Sequence, residues 1–292
     1  MDDGTATARQ PPARWAGLQL NKPLIMGILN VTPDSFSDGG SFMNAAAAIA
    51  AGEALLAAGA DILDVGGEST RPDARPVDGG EEIARAIPVI KALARMGAKI
   101  SADTRNAATM EAALDAGAAI VNDVSGLRHD PAAAALIAAR GCAVILMHMR
   151  GTPATMHSLA HYEDVAAEVS RELRGIRDMA LDAGVADENI ALDPGLGFAK
   201  TAAQNIALLR ATRRFTALGH PLVIGASRKR FIGRYGGAED PKKRFPGSIA
   251  AGLYALSQGA NVLRVHDVAE TVQAMRLWRE LTEAPVGSAK VP

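Results

Sequence analysis

Polar residues of matched type recur at the ends of short apolar runs in this chain. In order they are Asn30, Asp64, Asp103, Asn122 with Asp123, His148, Asp193, Ser227, and Arg264 with His266. Carboxylates and amides fixed in direction can hydrogen-bond a flat polar heterocycle. Asp103 and Asp193 stand in turns with Thr, Pro or Gly neighbours, where a buried carboxylate must find donors or shift its pKa. Asp64 and Asp123 read equally well as caps for the first N–H groups of a following helix. His148 closes the apolar stretch AVILMHM and reads either as pocket lining or as support, whereas His157 and His161 read as loop residues.

The cations are grouped as well. ASRKRFIGR, at 226–234, brings four of them together, and RVHD follows at 264–267. In an eight-unit barrel the loops after strands seven and eight often hold phosphate, so these cations predict an anionic substrate group, against the plainer reading of a solvated basic face. Two stretches, NVTPDSFSDGG at 30–40 and GGESTRPDARPVDGG at 66–80, are too long and too rich in turn formers for tight connections. They read as mobile loops over a mouth, the second carrying Thr70, Arg71 and Arg75. The single Cys142 cannot form an intrachain disulfide and opens an apolar run, the wrong end for a nucleophile. No His and Cys spacing matches structural zinc. If a metal binds, oxygen ligands and a phosphate substrate point to magnesium.

Such residues converge only if the chain repeats one unit. Eight β-rich apolar runs, at 24–29, 61–65, 99–102, 119–121, 143–147, 190–192, 222–224 and 261–265, alternate with amphipathic stretches. The stretches near 44–58, 81–96, 107–116, 131–140, 161–184, 202–218, 247–258 and 268–283 predict helices. Strict alternation predicts parallel strands joined by helical crossovers, and eight units favour a single closed (β/α)8 barrel over an open doubly wound sheet. Gly59, Gly97, Gly117, Gly141, Gly184, Gly219 and Gly259 each stand shortly before an apolar run, where a left-handed helix cap turns the chain. The barrel is expected over 15–284, with residues 1–14 a disordered extension and 285–292 a tail.

Composition fits this reading and excludes others. Of 292 residues, 48% are hydrophobic and 22% charged, an ordinary globular balance. A net charge of −1 gives no overall attraction to nucleic acid or an anionic membrane. The longest uncharged window, 245–263, is interrupted by Pro246, Gly247, Gly252, Gln258, Gly259 and Asn261, so no bilayer span is expected. The first residues lack a secretory pattern, and a reducing cytoplasmic setting is the expectation.

The motifs MGILNVTPDSFSDGG at 26–40, DVGGESTRP at 64–72, SADT at 101–104, VNDVSGL at 121–127, LMHMRGTP at 146–153, LDPGLGF at 192–198, GASRK at 225–229 and RVHDV at 264–268 together resemble the dihydropteroate synthase family. They follow the family's order over about residues 20–280. The resemblance implies a pterin-binding TIM barrel that condenses 6-hydroxymethyl-7,8-dihydropterin diphosphate with p-aminobenzoate, releasing diphosphate. It implies Mg2+ as cofactor, a homodimer built on outer helices, and no nucleic-acid or membrane partner. Asp103, Asn122, Asp193 and Lys229 are expected to hold the pterin, and Thr70, Arg264 and His266 the diphosphate. Asn30 would help bind magnesium. Phe36, Arg71, Pro72, Phe198 and Ser227 would form the p-aminobenzoate site, with Asp38 pairing to Arg71. Asp38, Arg71 and Lys229 are the residues expected to act in catalysis. The chain departs from the family at Leu196, often Phe, and at Arg230, where many members carry Ser against the p-aminobenzoate carboxylate. Two other readings compete: a noncatalytic pterin-binding paralogue, and a methyltetrahydrofolate-type methyltransferase, which would have little use for the motifs at 30–40, 68–72 and 227–229.

Overall fold

The computed structural model describes residues 11–32, 41–68 and 77–283. Each aliphatic run forms a short strand, and each Ala-rich stretch forms a helix that carries the chain back to the start of the next. The eight core strands are β3 (Leu24–Asn30), β4 (Ile62–Gly66), β5 (Ile100–Asp103), β6 (Ile120–Asp123), β7 (Ala143–Met147), β8 (Ile190–Asp193), β9 (Val223–Ile224) and β10 (Val262–Val265). Hydrogen bonds order them β8-β7-β6-β5-β4-β3-β10-β9, all parallel, and a parallel bridge between Leu192 and Leu222 joins the two ends. This is the closed (β/α)8 barrel that the eightfold repeat predicts.

The helices are α1 (Ser41–Ala57), α2 (Gly79–Arg95), α3 (Ala107–Asp115), α4 (Ala133–Arg140), α5 (Val165–Asp182), α6 (Ala202–Arg210), α7 (Thr212–Thr216), α8 (Arg230–Gly236), α9 (Phe245–Ser257) and α10 (Val268–Glu283). Side-chain caps fix several starts: Asp78 accepts from the Gly80 N–H, Asp164 from those of Ala166 and Ala167, and Thr201 forms a capping box with Gln204. The glycines expected at helix ends are all left-handed, as at Gly141, whose φ of +59° closes α4.

Four details differ from the sequence reading. The stretch 202–218 breaks at Ala211 into α6 and α7, and 161–184 begins only at Val165, after Asp164 caps it. α8 lies in a segment read only as a cationic loop. An antiparallel hairpin of β1 (Arg14–Trp15) and β2 (Leu18–Gln19) precedes the barrel, its first residue falling in the 1–14 segment expected as an extension. Trp15 of this hairpin is buried with Leu24, Met26, Ile62, Ile120, Ile145, Val223 and Val262, plugging the lumen, and its indole N–H donates to the Asn189 carbonyl at 2.9 Å.

Candidate active site

Alternation along each strand decides which side chains enter the lumen. Ile62, Ile120, Ala191 and Val262 belong to the apolar plug around Trp15. Two residues further along the same faces stand Asp64, Asn122, Asp193 and Arg264, and on β5 Asp103 follows Ser101 in the same way. The lumen is thus apolar at the N-terminal ends of the strands and polar at the C-terminal ends, the end where the βα loops of such a barrel meet.

Asp64, Asp103, Asn122 and Arg264 form one hydrogen-bonded group, and Asp193 feels the Arg264 charge without bonding to it. Arg264 donates through Nε to Asp64 Oδ2 and through Nη2 to Asp103 Oδ2, both at 2.5 Å. Asn122 Nδ2 donates to Asp64 Oδ2 at 3.1 Å, and Asp193 Oδ1 accepts from the Gly195 N–H at 2.7 Å. Asp64 Oδ1, Asp103 Oδ1 and Ser101 Oγ are buried with no hydrogen-bond partner. Burial pushes Asp103 up to about 7, against the pull of Arg264 and with help from Asp64. Burial also raises Asp193, opposed chiefly by Lys229. Arg264 stays charged, because Asp64 and Asp103 together outweigh the cost of its burial.

Towards the loops, the segment after β8 and the turn after β9 meet at Lys229. Its Nζ donates to the Leu196 carbonyl and lies 4.6 Å from the centre of the Phe198 ring. Burial lowers Lys229 to about 8, with Asp193 the main force holding its proton. Ser227 Oγ accepts from the His266 backbone N–H at 3.1 Å and lies 3.0 Å from His266 Nδ1, linking the ends of strands seven and eight. Asn30 ends β3, half-buried, with its backbone paired to Gly66.

Alternation also settles the residues the sequence left open. Asp64 is a lumen residue and caps nothing. Asp123 faces the other way and braces the turn after β6, accepting from the N–H groups of Ser125 and Leu127 at 2.7 and 2.9 Å. His148, one residue beyond the lumen-facing Met147, is support: its Nε2 meets Glu172 at 2.8 Å and its Nδ1 meets Lys200 at 3.0 Å. The cationic cluster is a correction, since only Lys229 turns into the site. Arg228 is ion-paired with Asp267, and Arg230 and Arg234 are exposed on α8. Arg264, expected at the diphosphate, spends two of its donors on the buried carboxylates. Phe36, Asp38, Thr70, Arg71, Pro72 and Arg75 lie outside the described residues. Sequence reasoning missed Lys200, although the Thr201 and Gln204 cap that follows it marks it as the last residue of the loop.

The family model described as pterin binding enzyme matches residues 26–266. Dihydropteroate synthase of Synechocystis sp. is 46% identical over 260 residues, covering 87% of this chain and 90% of that protein. A solved structure of Xanthomonas albilineans dihydropteroate synthase with 4-aminobenzoic acid superposes with a TM-score of 0.87 at 46% identity, covering 92% of this chain and 97% of that one. Another, of the same organism's enzyme in complex with 7,8-dihydropteroate, gives 0.84 at 44% identity over the same shares. Buried carboxylates at the strand ends, a barrel closed in this order and relatives matched over nearly their whole length agree: the chain belongs to the pterin-binding enzymes and, among them, to the dihydropteroate synthases.

Proposed function

We propose that the group formed by Asp64, Asp103, Asn122, Asp193 and Arg264 reads the amino-pyrimidinone edge of 6-hydroxymethyl-7,8-dihydropterin diphosphate, and that p-aminobenzoate is then joined to it. The observation that carries this reading is the pair of unpartnered carboxylate oxygens on Asp64 and Asp103, beside an unpartnered Ser101 hydroxyl. Buried acceptors without donors are costly, and a pterin supplies an amino group and ring N–H groups of the required kind.

On this reading the carbon–oxygen bond to the diphosphate breaks first, and the leaving group takes the electron pair. The positive charge on the methylene carbon spreads into the pterin, held beside Asp103 and Asp193. The neutral amine of p-aminobenzoate attacks that carbon with its lone pair and releases a proton to solvent or diphosphate, giving 7,8-dihydropteroate. No strong base is required. Lys229 bridges the two halves, since it touches the loop that carries Phe198 and is paired electrostatically with Asp193. Phe198 would stack on the aryl ring, Ser227 would keep His266 oriented at the diphosphate, and Arg264 would lend positive charge from below. Thr70 is assigned to the diphosphate, and Phe36, Arg71 and Pro72 to p-aminobenzoate, with Asp38 pairing to Arg71, because the family resemblance implies it.

Magnesium fits this site only as a partner of the substrate. Among the described residues no three His, Cys, Asp or Glu side chains gather into a metal cluster. Asn30 offers one amide oxygen at the mouth, which suits an ion that keeps its waters and takes its remaining ligands from phosphate. Bound there, it would offset the charge of the departing diphosphate.

We also propose that two copies associate through α8 and α9. Exposed Tyr235 and Tyr254 line a groove there together with Phe231 and, from α6, Ile206 and Leu209, and Phe245 is exposed at the start of α9. Among the described residues no helix is long and apolar enough to cross a membrane. Incubation of the purified protein with labelled p-aminobenzoate and the pterin diphosphate tests the activity: dihydropteroate should form with magnesium and cease with a chelator. Pterin binding without product would instead support the noncatalytic reading.

A further inference from the structure

We infer that Lys200 is a positioning residue for the aryl-amine half of the reaction, acting through the loop between β8 and α6; this rests on the function proposed above. Lys200 is buried and belongs to neither the pterin group nor the Lys229 contact. Its Nζ lies 2.9 Å from the Gly195 carbonyl oxygen, 2.8 Å from that of Phe198 and 3.0 Å from His148 Nδ1. Burial, with the Lys229 charge, pushes Lys200 well below the ordinary lysine range, and the three acceptors at this distance, which match the three N–H bonds of an ammonium, oppose that shift.

The direction of these bonds follows from the far side of His148. A carboxylate only accepts, so the 2.8 Å contact with Glu172 Oε2 puts the ring proton on Nε2 and leaves Nδ1 to accept from Lys200. Arg150 completes the chain by donating to Glu172, and to Glu168 at 2.9 Å. Burial and the Lys200 charge lower His148 to about 4, which keeps its ring neutral. Lys200 therefore sits on a fixed acceptor with ion-paired carboxylates behind it.

What it fixes is the loop at 194–199. Gly195 donates its N–H to Asp193, Gly197 donates to Asn205 Oδ1 at 2.6 Å, and the Phe198 N–H reaches the Gly195 carbonyl at 3.1 Å. Lys200 draws the Gly195 and Phe198 carbonyls to a single point and closes the segment on itself. Phe198 projects from this closed turn to Lys229. The turn contains Ala199 at φ +50°, a conformation that disfavours side chains and needs surrounding bonds to persist. It also presses Gly195 against the residue that follows β7 so closely that a Cβ there would lie 1.9 Å from the His148 carbonyl oxygen. Asp193 is held by strand hydrogen bonds in addition, whereas the Phe198 backbone has only the turn, its ring packing on Val124, Met147, Met149 and Met156. Loss of Lys200 therefore disturbs p-aminobenzoate more than pterin.

Two variants test this. Lys200→Met removes every donor, and Lys200→Arg keeps the charge but spreads its donors over a plane that cannot converge on three acceptors. Steady-state kinetics should show the p-aminobenzoate KM of both raised on the order of tenfold, with the pterin-diphosphate KM changed by less than about threefold. If Lys200→Met does not fold, Lys200→Arg carries the test. An unchanged p-aminobenzoate KM in folded protein, or an equal rise in both constants, would overturn the inference. So would full recovery in Lys200→Arg, which is what a merely structural need for charge predicts. Failure of the proposed function reads differently, because the wild-type protein would then make no dihydropteroate; the same contrast is in that case measured as p-aminobenzoate binding by calorimetry in the presence of the pterin diphosphate.

Discussion

Asp103 and Lys229 show how burial at the strand ends sets chemistry residue by residue. Asp103 is pushed up to about 7 and Lys229 down to about 8, so each changes charge near neutrality. A pterin edge that donates needs Asp103 ionised, and pairing with Asp193 needs Lys229 protonated. The pterin-diphosphate kcat/KM should therefore rise as pH increases through about 7 and fall above about 8. In Asp103→Asn the acidic limb should vanish at a lower overall rate; an unaltered limb would remove Asp103 from the account. The same shift has a stability sign. Because folding favours the protonated carboxyl, Asp103 costs stability above about 7 and ceases to do so as pH falls towards its ordinary 3.8. Asp103, Asn122 and Asp193 were legible in the sequence because each ends an apolar run. Lys200 was not, because a lysine beside a helix cap is usually solvated, and only tertiary packing shows three acceptors around it.

Strands and helices were legible where one physical signal dominated. β7 and α10 lie where the sequence placed them, since a five-residue aliphatic run and a long amphipathic period leave no alternative. β9 is reduced to two residues, and α8 hides in a stretch whose Arg and Lys content masks the burial of Phe231 and Ile232. Strand parity was the unused signal: it places Asp64 in the lumen and turns Asp123 away from it, and it can be counted from the apolar residues of each run. The hairpin of β1 and β2 was missed because two-residue strands have no period to read, yet it seats Trp15 in the base of the barrel. Trp15→Ala should destabilise the protein by about 3–5 kcal/mol in denaturant unfolding. The plug is at the far end from the site, so folded Trp15→Ala should keep its affinity for the pterin diphosphate. A loss below about 1 kcal/mol would mean the hairpin is not part of the cooperative core.

At the scale of the whole molecule, a closed parallel barrel brings residues as distant in sequence as Asp64 and Arg264 into one hydrogen-bonded group. Its apolar groove at α8 and α9 predicts a species of about twice the 30.3 kDa of one chain in light scattering, and Tyr254→Glu should shift it to the single-chain mass. A single-chain mass for the unaltered protein would leave that groove without its proposed occupant. The fold class and family were legible because eight repeated units and eight ordered motifs point the same way, whereas association depends on which helix faces remain uncovered, and that needs the packed structure. The central claim is that the carboxylates and amide at the strand ends recognise a pterin. Calorimetric titration of the pterin diphosphate into wild-type, Asp103→Asn and Asp193→Asn protein tests it most directly. Each variant should bind more weakly by about 1.5–3 kcal/mol, the worth of a hydrogen bond to a charged group; wild-type affinity in both folded variants would contradict the account.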